Sequence, residues 1–202
     1  MKNNSELRDA ARESLKGKWG IAIGGCLIYN LITIACSNIP FIGLLASLAI
    51  TGPLVLGLAW FSLDLAKNKQ AGIDLIFDGF KEFTKATGTY LLMIVYIFGW
   101  TLLFIIPGII KAISYSQTFY ILSNDTSIGS EEAIQKSMQM MDGHKLQYFL
   151  LGLSFIGWML LCFLTLGIGF LWLIPYIQVT YAKFYLSLKE QNNNYYDLNQ
   201  IF

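Results

Sequence analysis

Few side chains in this sequence could do chemistry, and four of the most suggestive sit on one short apolar stretch. Lys111, Ser114, Tyr115 and Thr118 are spaced i, i+3, i+4 and i+7, so a helix through 108–123 would carry them as one polar stripe. An ammonium beside hydroxyls and a phenol could neutralise an anionic solute or a lipid phosphate. The same residues also suit a plainer role, with Lys111 snorkelling to headgroups at the membrane boundary and the hydroxyls bonding neighbouring helices. Gln178, Tyr181 and Tyr185 repeat the helical spacing, with Tyr176, Thr180 and Lys183 on a neighbouring stripe. Gln178 and Tyr181 are weaker ligand or pathway candidates, since tyrosines near a lysine also make an interfacial belt.

Recognisable catalytic motifs do not emerge. No Gly-x-Ser-x-Gly elbow, His-Glu-x-x-His pair or phosphate-cradling glycine loop is found. The single histidine, His144, follows Gly143 and reads as a general base, a pH sensor or a cation at a helix end. Asp74, Asp78 and Glu82 share their segment with Lys81 and Lys85, the composition of a solvated face. Cys26, Cys36 and Cys162 have no Cys-x-x-Cys spacing and read as small apolar residues. We therefore expect a non-enzymatic protein with no cofactor and no metal. With 14 basic and 13 acidic residues, the chain has no net field to recruit nucleic acid.

The elements that must carry these residues are written in the charge distribution. Apolar residues make up 55% of the 202 and charged ones 13%, about half the charge of a soluble globule. No charge falls between Trp19 and Leu63, between Ala86 and Ile110, or between Leu146 and Ala182. Turn residues at Ser37-Asn38-Ile39-Pro40 and Thr165-Leu166-Gly167-Ile168-Gly169 divide the first and last of these stretches. At 1.5 Å per residue the pieces match a bilayer core of roughly 30 Å. The reading is an all-α polytopic membrane protein with six transmembrane helices. The charged, amphipathic first eighteen residues do not suit a cleavable signal peptide.

Three short amphipathic segments precede the three pairs of spans. Leu7, Ala10, Ala11, Ser14 and Leu15 form the first stripe; Ile73, Ile76, Phe77 and Phe80 the second; Ala133, Ile134, Ser137, Met138 and Met141 the third. Gly17 and Gly143 are expected to end their helices and Ser130 to cap one. Tyr90, Gly99, Trp100, Leu102 and Leu103 align without gaps on Tyr148, Gly157, Trp158, Leu160 and Leu161. The spacing predicts three repeats of amphipathic helix plus hairpin, at about 5–67, 71–123 and 129–189, within one domain over 1–190 and before a polar tail at 191–202. Pro107 should start its helix, and Pro53 and Pro175 should bend theirs. Thirteen of the 14 basic residues fall on one side of this topology, Lys111 being the exception, which predicts cytoplasmic termini in a bacterial inner membrane.

The runs Ser130-Glu131-Glu132-Ala133-Ile134-Gln135-Lys136-Ser137, Met141-Asp142-Gly143-His144-Lys145 and Phe149 to Trp158 resemble the characteristic region of a bacterial membrane family catalogued as domain of unknown function 975. The later run Gly167 to Tyr176, followed by Ala182-Lys183-Phe184-Tyr185, is similar too. The resemblance covers essentially the whole chain and implies a membrane fold without implying an activity. The residues themselves suggest a lipid-binding or partner-binding envelope scaffold, accessory subunit or protective factor. Membrane lipids, a membrane-protein partner or a second copy are the expected partners, and a transporter or channel for a small or amphiphilic solute is the alternative.

Overall fold

The computed structural model describes residues 2–38 and 43–199, with all side chains in these ranges except 37, 43–45 and 193–199. Ile39 and Pro40 of the first expected turn lie outside the described residues, as do 200–202 of the tail. Among the described residues all regular structure is helical. The first amphipathic segment is α1 (Asn4–Leu15), closed by a capping box in which the Asn3 side chain accepts from the Glu6 N–H and the Glu6 carboxylate accepts from the Asn3 N–H. Gly17 then turns the chain at φ +73°, as its position predicts. Next come α2 (Trp19–Ser37) and α3 (Gly43–Ala66), the latter with Pro53 inside it. The second segment folds as a short α4 (Leu75–Asp78) and a 3-10 turn over Gly79–Glu82 that leads into α5 (Phe83–Leu103).

The fourth apolar stretch is not one helix. It forms α6 (Ile105–Tyr115) and α7 (Thr118–Asn124), with Pro107 in the first turn of α6 as expected. The third amphipathic helix, α8 (Ser130–Met140), is followed by Gly143 at φ +74°. Its N-cap is Gly129; the Ser130 hydroxyl turns away and reaches the Lys85 carbonyl at 3.5 Å. The last hairpin comprises α9 (Lys145–Leu153), α10 (Ile156–Leu164) and α11 (Phe170–Asn199), which contains Pro175 and continues through residues 191–199 of the polar tail. Four helical stretches are long and apolar enough to cross a membrane: Trp19–Cys36, Ala46–Ala66, Leu75–Leu103 and Lys145–Leu164. The expected fourth span is interrupted at Ser116 and Gln117, and the expected sixth, with Gln178 and Lys183 in α11, is not among them.

Each amphipathic segment packs on the hairpin that precedes it around the molecule, and α1 and α8 bury their apolar faces there. α1 runs antiparallel to α11: the Lys2 N–H donates to the Ser187 hydroxyl at 3.2 Å, and Arg12 sits 5.9 Å over the Tyr176 ring. α4 and the 3-10 turn pack on α3, and α8 packs on α5, α6 and α7. Leu7, Ala11 and Leu15 of α1 and Ala133, Ile134 and Ser137 of α8 are fully or almost fully buried by this packing. Each of these helices thus pairs chiefly with a neighbouring hairpin and not with the one that follows it in the chain. In each case the segment runs toward the hairpin's tip.

The tightest seam is between α3 and the second segment. A Cβ on Gly57 would meet the Ile76 carbonyl, one on Gly79 the Pro53 carbonyl, and one on Gly52 the backbone of Ala86. Thr87 adds a hydrogen bond to the Ala49 carbonyl at 2.8 Å. Backbones this close leave no room for a methyl group, and the second segment, held by Gly79, forms two short pieces instead of a longer helix. Phe77 and Phe80 stay exposed, with Phe80 stacked on Phe83 at 6.5 Å between centroids. Over half of the α3 window is buried, against fewer than one in five residues in the other three candidate spans, so α3 is the hub. We predict that Gly57→Ala lowers stability by about 1–3 kcal/mol through overpacking. Gly99→Ala, exposed in α5 with nothing within 4 Å of a new Cβ, should be neutral or stabilising by up to about 1 kcal/mol. Thermal unfolding of both variants in one detergent checks the opposite signs.

Candidate functional site

The break between α6 and α7 has a specific cause on a neighbouring helix. The Ser137 hydroxyl of α8 donates to the Ser114 carbonyl at 2.7 Å and accepts from the Gln117 N–H at 3.2 Å. A side chain thus stands in the helical ladder where a backbone bond would otherwise run, and this is one of the recognised ways to interrupt a helix. Ser116 closes the end of α6 through its N–H to the Ile113 carbonyl. The loop that delivers α8 is held at Asp125, whose carboxylate accepts from the Ser127 hydroxyl at 2.6 Å and N–H at 2.9 Å; these bonds keep its pKa below the ordinary carboxylate value.

The sequence-derived candidates divide at this break. Lys111, Ser114 and Tyr115 share α6, whereas Thr118 starts α7. The Lys111 ammonium lies 4.9 Å from the Trp100 ring centroid and 3.9 Å from the Met138 sulfur, half-buried between α5 and α8. Ser114 is buried and donates back to the Ile110 carbonyl at 2.8 Å. Tyr115 is buried beside Tyr96, with centroids 6.3 Å apart, and Thr118 is fully buried, its hydroxyl donating to the Tyr115 carbonyl at 2.7 Å. Ser114 thus serves the backbone of its own helix, Thr118 bonds back across the break to the end of α6, and Lys111 caps an aromatic and a thioether.

Gln117, which periodicity does not single out, is the residue the geometry adds. It is completely buried at the break; its Nε2 donates to the Ser116 hydroxyl at 2.8 Å, and its Oε1 has no partner among the described residues. Nearby, Tyr148 stacks on Tyr181 at 4.8 Å. Tyr181 and Tyr148 border a pocket of about 190 Å³ with Ile113, Gly152 and Ile156, so Tyr181 approaches the fourth-span region while Gln178 remains half-buried on α11. A glutamine just past an apolar helical run gives no sequence signal of this kind, because its role depends on Ser137 arriving from another helix.

A larger cleft of about 330 Å³ lies elsewhere, between α1, the start of α2 and the α10–α11 hairpin, and is bordered by Arg12, Trp19, Trp158, Cys162, Trp172 and Tyr176. Cys162 is buried and free, as are Cys26 (buried) and Cys36 (half-buried). Among the described residues, no group of three or more His, Cys, Asp or Glu is placed to hold a metal ion.

Comparison with known proteins places the sequence. The family model described as Protein of unknown function (DUF975) matches residues 1–115 and 101–192. The chain belongs to this DUF975 family. No curated protein and no solved structure matches it. Membership in DUF975 agrees with the resemblance read from the sequence and carries no activity with it.

The bridge separates two kinds of substitution. Ser137→Ala strands the buried Gln117 N–H and Ser114 carbonyl and should cost about 1–3 kcal/mol. Lys111→Met, which loses a partly exposed cation–π contact, should cost no more than about 1 kcal/mol. Unfolding temperatures in a common detergent give the order, and a larger loss for Lys111→Met would contradict it.

Proposed function

We propose that this protein is a non-enzymatic, multi-pass protein of a bacterial inner membrane. In this reading it binds lipid or a membrane partner as an envelope scaffold, accessory subunit or protective factor. The observation that carries the reading is the apolar surface of the hairpin ends. Leu102 to Ile106 at the α5–α6 turn are all exposed, with Leu102 at 77%, and Leu164 at the end of α10 and Leu166 just beyond it reach 81% and 93%. Side chains of this kind in a continuous run need lipid or protein to cover them.

The proposed architecture is six membrane helices in three repeats of amphipathic helix and hairpin, with α6–α7 as an interrupted fourth span and the first part of α11 as the sixth. Support comes from the ring of contacts, in which α4 packs on the first hairpin, α8 on the second and α1 on the third. Both termini are assigned to the cytoplasm, because the turns near Asn38, Phe104 and Gly167 hold no basic residue whereas the segments that join the hairpins do.

A transporter for a small or amphiphilic solute is the second reading, and one observation favours it. Discontinuous helices with buried polar groups line binding sites in many transporters, and the α6–α7 break with its orphan Gln117 oxygen has that form. Native mass spectrometry of the purified protein tests the first reading: retained lipid or a protein partner is expected, and the absence of both would sink it. In proteoliposomes, a solute flux that falls with Tyr115→Phe or Gln117→Leu would favour the second. A cysteine replacing Gln70 should be labelled from the cytoplasmic side alone; labelling from outside would overturn the orientation.

A further inference from the structure

The cleft beside α1 combines two features seldom found together on a lipid-facing flank. Its walls are aromatic: Trp19, Trp158 and Trp172, three of the five tryptophans, converge on it with Tyr176. Its one bordering charge is the Arg12 guanidinium, which lies 5.9 Å over the Tyr176 ring and has no carboxylate at salt-bridge distance among the described residues. Arg12 is thus the one charged residue that borders the cleft.

The second hairpin shows what a filled version of this place looks like. Trp158 aligns with Trp100 in the proposed repeat, and aligning α1 with α8 on their terminating glycines, Gly17 and Gly143, sets Arg12 opposite Met138. At the second hairpin the chain's own Lys111 lies over Trp100, with its ammonium 3.9 Å from the Met138 sulfur. At the third hairpin the methionine is replaced by an arginine, and the wall remains open as a cleft of about 330 Å³. That volume is at the small end of ligand pockets and too small for a whole two-chain lipid.

We infer that this cleft is a binding site for an anionic glycerophospholipid, with Arg12 on the phosphate and one acyl chain lying between Trp158 and Trp172. Charge complementarity selects the occupant: a guanidinium matches a phosphate through paired, charge-assisted hydrogen bonds, while indoles accept an acyl chain and hold it near the headgroup level. The inference rests on the lipid-binding reading above and names its site and ligand class.

The test uses the full chain in phosphatidylcholine nanodiscs doped with phosphatidylglycerol, released into the gas phase, with bound lipid identified by native mass spectrometry. The wild type should retain phosphatidylglycerol over phosphatidylcholine. Arg12→Gln should lower that preference by roughly tenfold, the loss of about one charge-assisted bond. Trp158→Ala should lower retention of both lipids, and Lys81→Gln, the same charge change on an exposed lysine outside the cleft, should leave the preference intact. Arg12 is exposed, so unchanged unfolding of Arg12→Gln keeps the result interpretable. An unchanged preference in Arg12→Gln, an equal fall in Lys81→Gln, or equal occupancy by added free fatty acid would overturn the site while leaving general lipid binding standing. A wild type that retains no lipid at all would overturn both.

Discussion

The apolar faces of α1 and α8, and Ile76 of the second segment, have to be buried, and the surface that accepts each belongs to the preceding hairpin. That constraint ties the three parts of the molecule into a ring and sets the place of nearly everything else. It brings Gly57 against the Ile76 carbonyl and Gly79 against the Pro53 carbonyl, contacts that only glycine permits. It makes α3 the buried hub. It also uses up the faces of α1 and α8 that would otherwise be free to lie on a bilayer, leaving their polar sides and the distal hairpin ends as the outward surfaces.

Functional features follow from the same docking. Ser137 can interrupt the fourth apolar stretch only because α8 lies along α6 and α7, and the interruption buries Gln117 with one oxygen unmatched. A buried amide with an open acceptor is costly unless something bonds it. Arg12 reaches Tyr176 and the tryptophans of the third hairpin only because α1 runs down α11. The two places differ in character: one is an enclosed polar junction and the other an aromatic cleft with a single cation.

Much of this was legible in the sequence. The helical class, the glycines that end α1 and α8, the buried stripes of those two helices and Pro107 at a helix start all follow from local periodicity and backbone chemistry, which a single chain displays. What periodicity cannot show is a partner. The capping oxygen of Asn3 lies outside the apolar stripe that marks α1 in the sequence. Ser130 looked like a cap and instead reaches Lys85, and Lys111 to Thr118 looked like one stripe because nothing in that stretch announces a serine inserted from 20 residues downstream of Gln117. Arg12 is one of several charges in the amphipathic first eighteen residues, and its cleft is assembled from three separate stretches of chain.

The exchange of amphipathic helices between neighbouring hairpins is the claim on which the rest stands. Short-range cross-linking tests it most directly, in a background with Cys26, Cys36 and Cys162 replaced and new cysteines at Asn4 and Gln147. The Asn4 amide donates to the Gln147 carbonyl at 3.2 Å, joining the first segment to the third hairpin. The account predicts an efficient cross-link within one chain at low protein concentration, in membranes as well as in detergent. No cross-link, or one formed only between two copies, would contradict it.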